Sequence, residues 1–185
     1  MRKNQVILVN EQDLPQGFMD KMEVHRKGLL HRAISVFIFN NNGEMLLQKR
    51  ASGKYHSAGL WTNTCCSHPL PGEATVDAAH RRLREEMNLK VTLKPLLQFQ
   101  YTATFDNGLI EHELDHVYFG LCDDNPTPDP LEAEAWKYID PATLQMDISL
   151  HPNHYTEWFK ICLEDVLQFV LDNRLVSLSQ KKMIT

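Results

Sequence analysis

No apolar run in this chain approaches the ~18 residues of a membrane span, and the polar start Met1–Gln5 leads only into Val6–Val9 before Asn10 ends the stretch. A membrane partner and a secretory signal are therefore not expected. Positive charge is also short, with 19 Lys and Arg against 24 Asp and Glu for a formal net charge of -5. That argues against affinity for nucleic acid through phosphate neutralisation. Cysteine occurs only four times and never as C-x-x-C, and the adjacent Cys65 and Cys66 are unsuited to the usual disulfide geometry. A disulfide scaffold and a Cys-rich zinc module are not expected, and reduced thiols in a cytoplasmic protein are the better reading. Cys162 reads as a small buried hydrophobe. Repeats, low-complexity tracts and linkers are all missing, so the 185 residues are expected to form a single domain over 1–185, with a monomer favoured.

Histidine, in contrast, is abundant, with nine copies. The hydrophobic pattern around them predicts the elements. Val6–Val9 reads as a short strand, and Asp20 as the cap of a helical turn reaching His25. Ala33–Phe39 and Glu44–Arg50, joined by Asn-Asn-Asn-Gly, read as a hairpin whose Asn-Gly suits positive φ. Val76, Ala79, Leu83 and Met87 share one stripe of a helix over Thr75–Met87. Leu96–Phe105 and Leu109–Leu121 flank Asp106-Asn107-Gly108 as a second hairpin, Asp123–Pro130 with its three prolines is a loop, and Trp136–Ile139 is a short strand. From Pro152 onward, apolar residues from Tyr155 to Val170 recur at helical spacing, and this long C-terminal helix should lie against the sheet. The predicted class is α+β, a mixed β-sheet core flanked by helices, with an N-terminal extension.

Segment 67–89 holds the most specific signal. Glu73, Arg81, Leu83, Glu85, Glu86 and Leu89 fall in register with the Nudix box, G-x5-E-x7-R-E-U-x-E-E-x-G-U, whereas Ser67, Arg82 and Asn88 stand at the first Gly, a Glu and the last Gly. Carboxylates one helical turn apart can grip a hard cation that in turn holds a diphosphate. Arg82 removes one of them and adds a cation suited to phosphate. Around this box lie Trp61-Thr62-Asn63-Thr64-Cys65-Cys66-Ser67-His68-Pro69, which fits W-T-N-x-x-C-x-H-P, then Tyr101-Thr102-Ala103-Thr104, and Glu111-His112-Glu113 as E-x-E. In this order the segments resemble the type I isopentenyl-diphosphate Δ-isomerases of the Nudix superfamily, from about Val6 to Trp158.

That resemblance implies a Mn²⁺ or Zn²⁺ ion held by His25, His31, His68, Glu111 and Glu113. Glu111 and Glu113, two apart on a strand, point to one face, whereas His112 and His116 point to the other. Five residues separate His25 from His31 where the resembled bacterial enzymes commonly carry six. A Mg²⁺ ion is implied at Glu86 and the backbone carbonyl of Cys66, bridging to the substrate diphosphate. Lys21, Arg50, Lys54 and Arg82 are the cations implied for that diphosphate. Cys66 and Glu113 are implied as an acid–base pair on opposite faces of a small allylic or homoallylic diphosphate, with Tyr101 beside the carboxylate. An alkene is a very weak base, so a dry pocket and a stabilised tertiary cation are needed. Trp158 offers its π face to that cation, and Trp61 is a further candidate at the substrate, although both also satisfy a core role. His56, His80, His151 and His154 are read as ordinary solvated or hydrogen-bonded histidines. Two alternatives stay open at this stage: a Nudix hydrolase of a nucleoside diphosphate derivative, and a metal and diphosphate binding module without turnover.

Overall fold

The computed structural model describes residues 4–176. Its sheet is organised around β3 (His31–Phe39), which is buried from Ala33 to Phe39 because both of its faces are covered. One edge of β3 pairs in parallel with β8 (Ile110–Leu121) along its whole length, starting at His31↔Glu113. β8 in turn pairs antiparallel with β7 (Lys94–Thr104), which sets Tyr101 opposite Glu113. The other edge of β3 is shared. β1 (Gln5–Val9) meets it at His31, β6 (Cys65–Ser67) runs along Ile34–Val36, and β4 (Met45–Arg50) pairs only with Ile38 and Phe39. β2 (Pro15–Asp20) extends the sheet beyond β1, while β5 (Trp61–Thr62) and β9 (Ala133–Ile139) both pair with β4.

The expected β3–β4 hairpin therefore forms but opens after two residue pairs. Thr64 explains how the fork is held. Its hydroxyl accepts from the Ile38 N–H at 3.0 Å and donates to the Leu46 carbonyl at 2.7 Å, so it satisfies both strands where they part. The chain from Trp61 to Ser67 crosses this gap, pairing first with β4 and then with β3.

Alternation along β3 supplies two cores. Ile34, Val36 and Ile38 pack with Ala78, Ala79, Leu83 and Met87 of α2 (Thr75–Met87), while Phe37 and Phe39 pack with Trp158, Phe159, Leu163 and Val166 of α4 (Glu157–Asp172). Asn88, standing where the Nudix pattern has glycine, caps α2 in the left-handed conformation at φ 55°. The motif needs a residue that tolerates this region, and Asn is the usual substitute for Gly there.

α1 (Lys21–Lys27) begins at Asp20, whose carboxylate accepts the Met22 and Glu23 N–H groups, and ends at Gly28 with φ 60°. A side chain at Gly28 would crowd Ile110 at 3.2 Å, so the tight return from α1 into β3 needs glycine on two counts. Three expectations are corrected. The C-terminal helix starts at Glu157 rather than at Pro152, because Pro152–His154 form one 3₁₀ turn and the extended Tyr155 bridges to Trp61. The strand at Trp136–Ile139 begins earlier, at Ala133. Helix α3 (Pro141–Leu150) and strands β2, β5 and β6 were not anticipated. None of the helices among the described residues is long and apolar enough to cross a membrane.

Candidate active site

Where β3 and β4 part, a cleft opens, with Cys66, Glu113, Glu86 and Trp158 among its lining residues. One wall is a row across three strands. His31 on β3, Glu113 on β8 and Tyr101 on β7 are register neighbours, and Glu111 lies one step along β8 on the same face. The Tyr101 hydroxyl reaches Glu113 Oε2 at 2.7 Å and Glu111 Oε2 at 3.0 Å. Glu113 Oε1 meets His68 Nε2 at 2.9 Å, His31 Nε2 at 3.3 Å and His25 Nε2 at 3.9 Å.

The imidazoles are oriented by the backbone. His25 Nδ1 lies 2.6 Å from the Lys21 carbonyl and His31 Nδ1 lies 2.8 Å from the Leu29 carbonyl. A carbonyl can only accept, so Nδ1 carries the proton in both rings and each Nε2 presents a lone pair to the cluster. His25 Nε2 is buried there without any hydrogen-bond partner, and His31 Nε2 stands 3.2 Å from His68 Nε2. Lone pairs facing each other and a carboxylate, away from water, are a donor set that a divalent cation satisfies. His25, His31, His68 and Glu113 offer ligand atoms within 4.8 Å of one another, so the residues fit a metal. With Gly28 turning the chain between them, His25 and His31 both bring Nε2 to Glu113 Oε1.

Burial and local charge set the protonation states. Burial pushes His25 down to about 4 and His68 to about 3, which keeps both neutral and free to ligate. For Glu113, burial favours protonation, but the His31 and His68 imidazoles around Oε1 outweigh it and hold the carboxylate well below its usual range. Glu111 is displaced upward by burial and by the adjacent Glu113 charge.

The Cys66 thiol enters the same cleft from β6, where Cys66 pairs with Ser35 of β3, and burial, aided by the charges of Asp115 and Glu86, pushes it up to about 12. The thiol is held at the end of a hydrogen-bonded chain. Thr156 donates to Thr62 at 2.9 Å, Thr62 to Asn63 Oδ1 at 2.9 Å, and Cys66 to the same oxygen at 2.8 Å. The Asn63 amide is fixed by the Val36 and Cys65 carbonyls. Trp158 Nε1 donates to Cys66 Sγ at 3.1 Å, and the Arg50 guanidinium lies 5.2 Å from its ring centroid, so this π face already accommodates a cation. Cys65, by contrast, points into the α2 core.

The second wall belongs to α2. Arg82 binds Glu86 Oε1 through two nitrogens, at 3.1 and 2.8 Å, and also reaches Glu85 and Glu132. Gln48 donates to Glu86 Oε2 at 3.0 Å. Lys54 pairs with Glu132, whereas Arg50 Nε is buried without a partner and Lys21 lies over the Tyr55 ring at 5.2 Å. All four expected cations thus line the cleft.

Trp61 does not line it. Its ring carries Lys137 at 4.3 Å and packs against the α4 core, because β5 points it along the outside of β4. The reading of His56 as an ordinary histidine is also corrected. His56 is 7% exposed, lines the cleft and reaches Glu111 Oε1 at 3.1 Å. The loop carrying it leaves Arg50 and returns to it, with Gly59 N–H bonded to the Arg50 carbonyl and Arg50 N–H to that of Leu60, so residues 51–58 close over the cleft. Gln48 and the Ser35–Asp115 pair, bonded at 2.7 Å, were likewise missed, since only the folded sheet brings them here. His112 and His116 face away, meeting Gln100 and Asp13.

Residues 29–159 match the NUDIX domain family, which makes this a Nudix domain protein. Its fold resembles a Deinococcus radiodurans protein with TM-score 0.72 and 19% identity, over 86% of this chain and 98% of that one. It also resembles a MutT protein from Methanosarcina mazei with TM-score 0.62 and 16% identity, over 78% and 96%. Much nearer in sequence are curated relatives named isopentenyl-diphosphate Delta-isomerase. That of Pectobacterium atrosepticum is 53% identical over 163 residues, 87% of this chain and 90% of its own, and isopentenyl-diphosphate Delta-isomerase 2 of Aromatoleum aromaticum is 51% identical over 165 residues, 89% and 87%. Within the Nudix domain proteins, the chain belongs to the isopentenyl-diphosphate Δ-isomerase family.

Proposed function

We infer that this protein isomerises isopentenyl diphosphate to dimethylallyl diphosphate, with Cys66 and Glu113 as its two proton-transfer groups. The observation that carries the reading is their placement: the Cys66 thiol and the Glu113 carboxylate line one cleft, the first held by the Trp158 N–H and the second by the Tyr101 hydroxyl. Allylic isomerisation needs such a pair, one group adding a proton to the alkene carbon while the other removes one from the neighbouring methylene across a tertiary cation. One turnover exchanges their protonation states. Tyr101, bonded to both carboxylates, orients Glu113 and offers a route by which its proton is reset. Trp158 faces the cation with its ring and donates its N–H to the sulfur, favouring the thiolate once the proton has left.

Lys21, Arg50, Lys54 and Arg82 take the diphosphate, with the unpartnered Nε of buried Arg50 as the group most in need of an anion. A divalent ion, Mn²⁺ or Zn²⁺ on the His/Glu donors and Mg²⁺ at Glu86 and the Cys66 carbonyl, would supply a fixed positive charge for the carboxylates and the phosphates respectively. The hydrolase reading is disfavoured because Arg82 occupies the carboxylates of the α2 wall and hydrolysis has no use for a shielded thiol.

The test is proton NMR of isopentenyl diphosphate with the protein, Mg²⁺ and Mn²⁺ in D₂O. Dimethylallyl diphosphate carrying solvent deuterium is the expected product. Release of inorganic phosphate, or an unchanged spectrum, would sink the reading.

A further inference from the structure

We propose that His56 is an additional metal ligand of this chain, so that four imidazoles and two carboxylates surround the His/Glu centre. The proposal rests on the metal-binding part of the function inferred above. His25, His56 and Glu111 form a second set whose ligand atoms lie within 4.8 Å of one another, and His25 belongs to both sets. Two imidazoles and one carboxylate are by themselves a common divalent-metal face.

Each set is packed at ligand spacing, and His25 joins the two because it belongs to both. Ligand atoms on bonds of about 2.1 Å stand about 3 Å apart when adjacent. His56 Nε2 to Glu111 Oε1 is 3.1 Å, matching the 2.9 Å of His68 to Glu113 Oε1 and the 3.2 Å between His31 and His68 Nε2 atoms. His25 Nε2, buried and without a hydrogen-bond partner, stands between the two sets.

The His56 ring is also held in plane. It stacks on Phe105 at 4.6 Å and 16°, and takes Tyr55 edge-on at 4.4 Å and Trp158 at 5.8 Å. Its Nδ1 lies 3.3 Å from the Ser57 hydroxyl, which can accept the Nδ1 proton as the carbonyls of Lys21 and Leu29 do for His25 and His31. In that tautomer Nε2 presents a lone pair to the centre.

Metal binding without substrate tests this. Chelator-stripped wild type, His56→Ala and His56→Gln are titrated with Co²⁺ and followed by visible absorption, with circular dichroism of each stripped protein confirming the fold. Both variants are expected to bind Co²⁺ about tenfold or more weakly and to shift its absorption bands. Gln retains a hydrogen-bond donor toward Glu111, so wild-type affinity and bands in His56→Gln would make His56 an orienting partner only and overturn the proposal. Should the variants misfold, X-ray absorption of the Zn²⁺-loaded wild type decides: a fit with four imidazoles supports the assignment, and one with three overturns it. Failure of the isomerase reading would appear elsewhere, as absence of labelled dimethylallyl diphosphate from the wild type.

Discussion

The two walls of the cleft both carry carboxylates, yet they balance that charge in opposite ways. On the sheet wall Glu111 and Glu113 are met by imidazole nitrogens, which leaves a demand for positive charge. On the helix wall Glu85, Glu86 and Glu132 all meet Arg82, which supplies that charge internally. In one fold, then, the strand-borne acids are kept ready for a cation while the helix-borne Glu85 and Glu86 of the Nudix box already share Arg82. The comparison teaches that a Nudix box can be retained as a phosphate-facing scaffold while the reactive groups are placed on the neighbouring strands.

The largest expected effect breaks the sheet wall. Glu113→Gln should lower kcat by about 10²–10⁴-fold with the fold intact, because it deletes one proton-transfer group, and Cys66→Ala should match it. The NMR turnover assay reads both, and wild-type kinetics in either would refute the acid–base assignment. Next, chelation should abolish turnover, with recovery by ions that accept imidazole nitrogen. Full turnover in a metal-stripped sample would mean the sheet wall needs no cation and the contrast is false.

The helix wall should respond differently. Arg82→Gln is expected to raise KM more than it lowers kcat and to destabilise the protein by about 2 kcal/mol, since Glu86 is buried and loses its main partner. Steady-state kinetics and urea unfolding would show it, and an unchanged KM would remove Arg82 from the diphosphate site. The smallest effect belongs to Cys65→Ala, which should keep near-wild-type kcat and lose about 1 kcal/mol of stability through lost packing in the α2 core. A severe loss of turnover there would move the thiol assignment by one residue.

Much of this was legible in the residues because periodicity and motif agree. Val76, Ala79, Leu83 and Met87 mark α2 over its observed span, and Glu111 and Glu113, two apart, share a face on β8 as alternation requires. Helix α3 was missed because only Pro141 and Leu144 are buried, so it shows no apolar stripe. β2 was missed because it is an edge strand with no fully buried residue. His56 escaped for another reason: Tyr-His-Ser-Ala-Gly reads as a surface turn, and its burial comes from a loop that closes back on Arg50. Trp61 misled in the other direction, since an aromatic beside the Thr-Asn motif takes its surroundings from β5 and not from the Cys66 thiol five residues on.

The hydroxyl of Thr64 acts like a peg in a zipper. Two neighbouring strands with matching hydrogen-bonding edges would ordinarily go on closing, and here one side chain occupies the next donor and the next acceptor at the point where closing stops. The cleft is thus an arrested pairing. Its depth is set by where along β3 and β4 the peg stands, so moving such a hydroxyl by one pair is a direct way to resize a pocket in this fold.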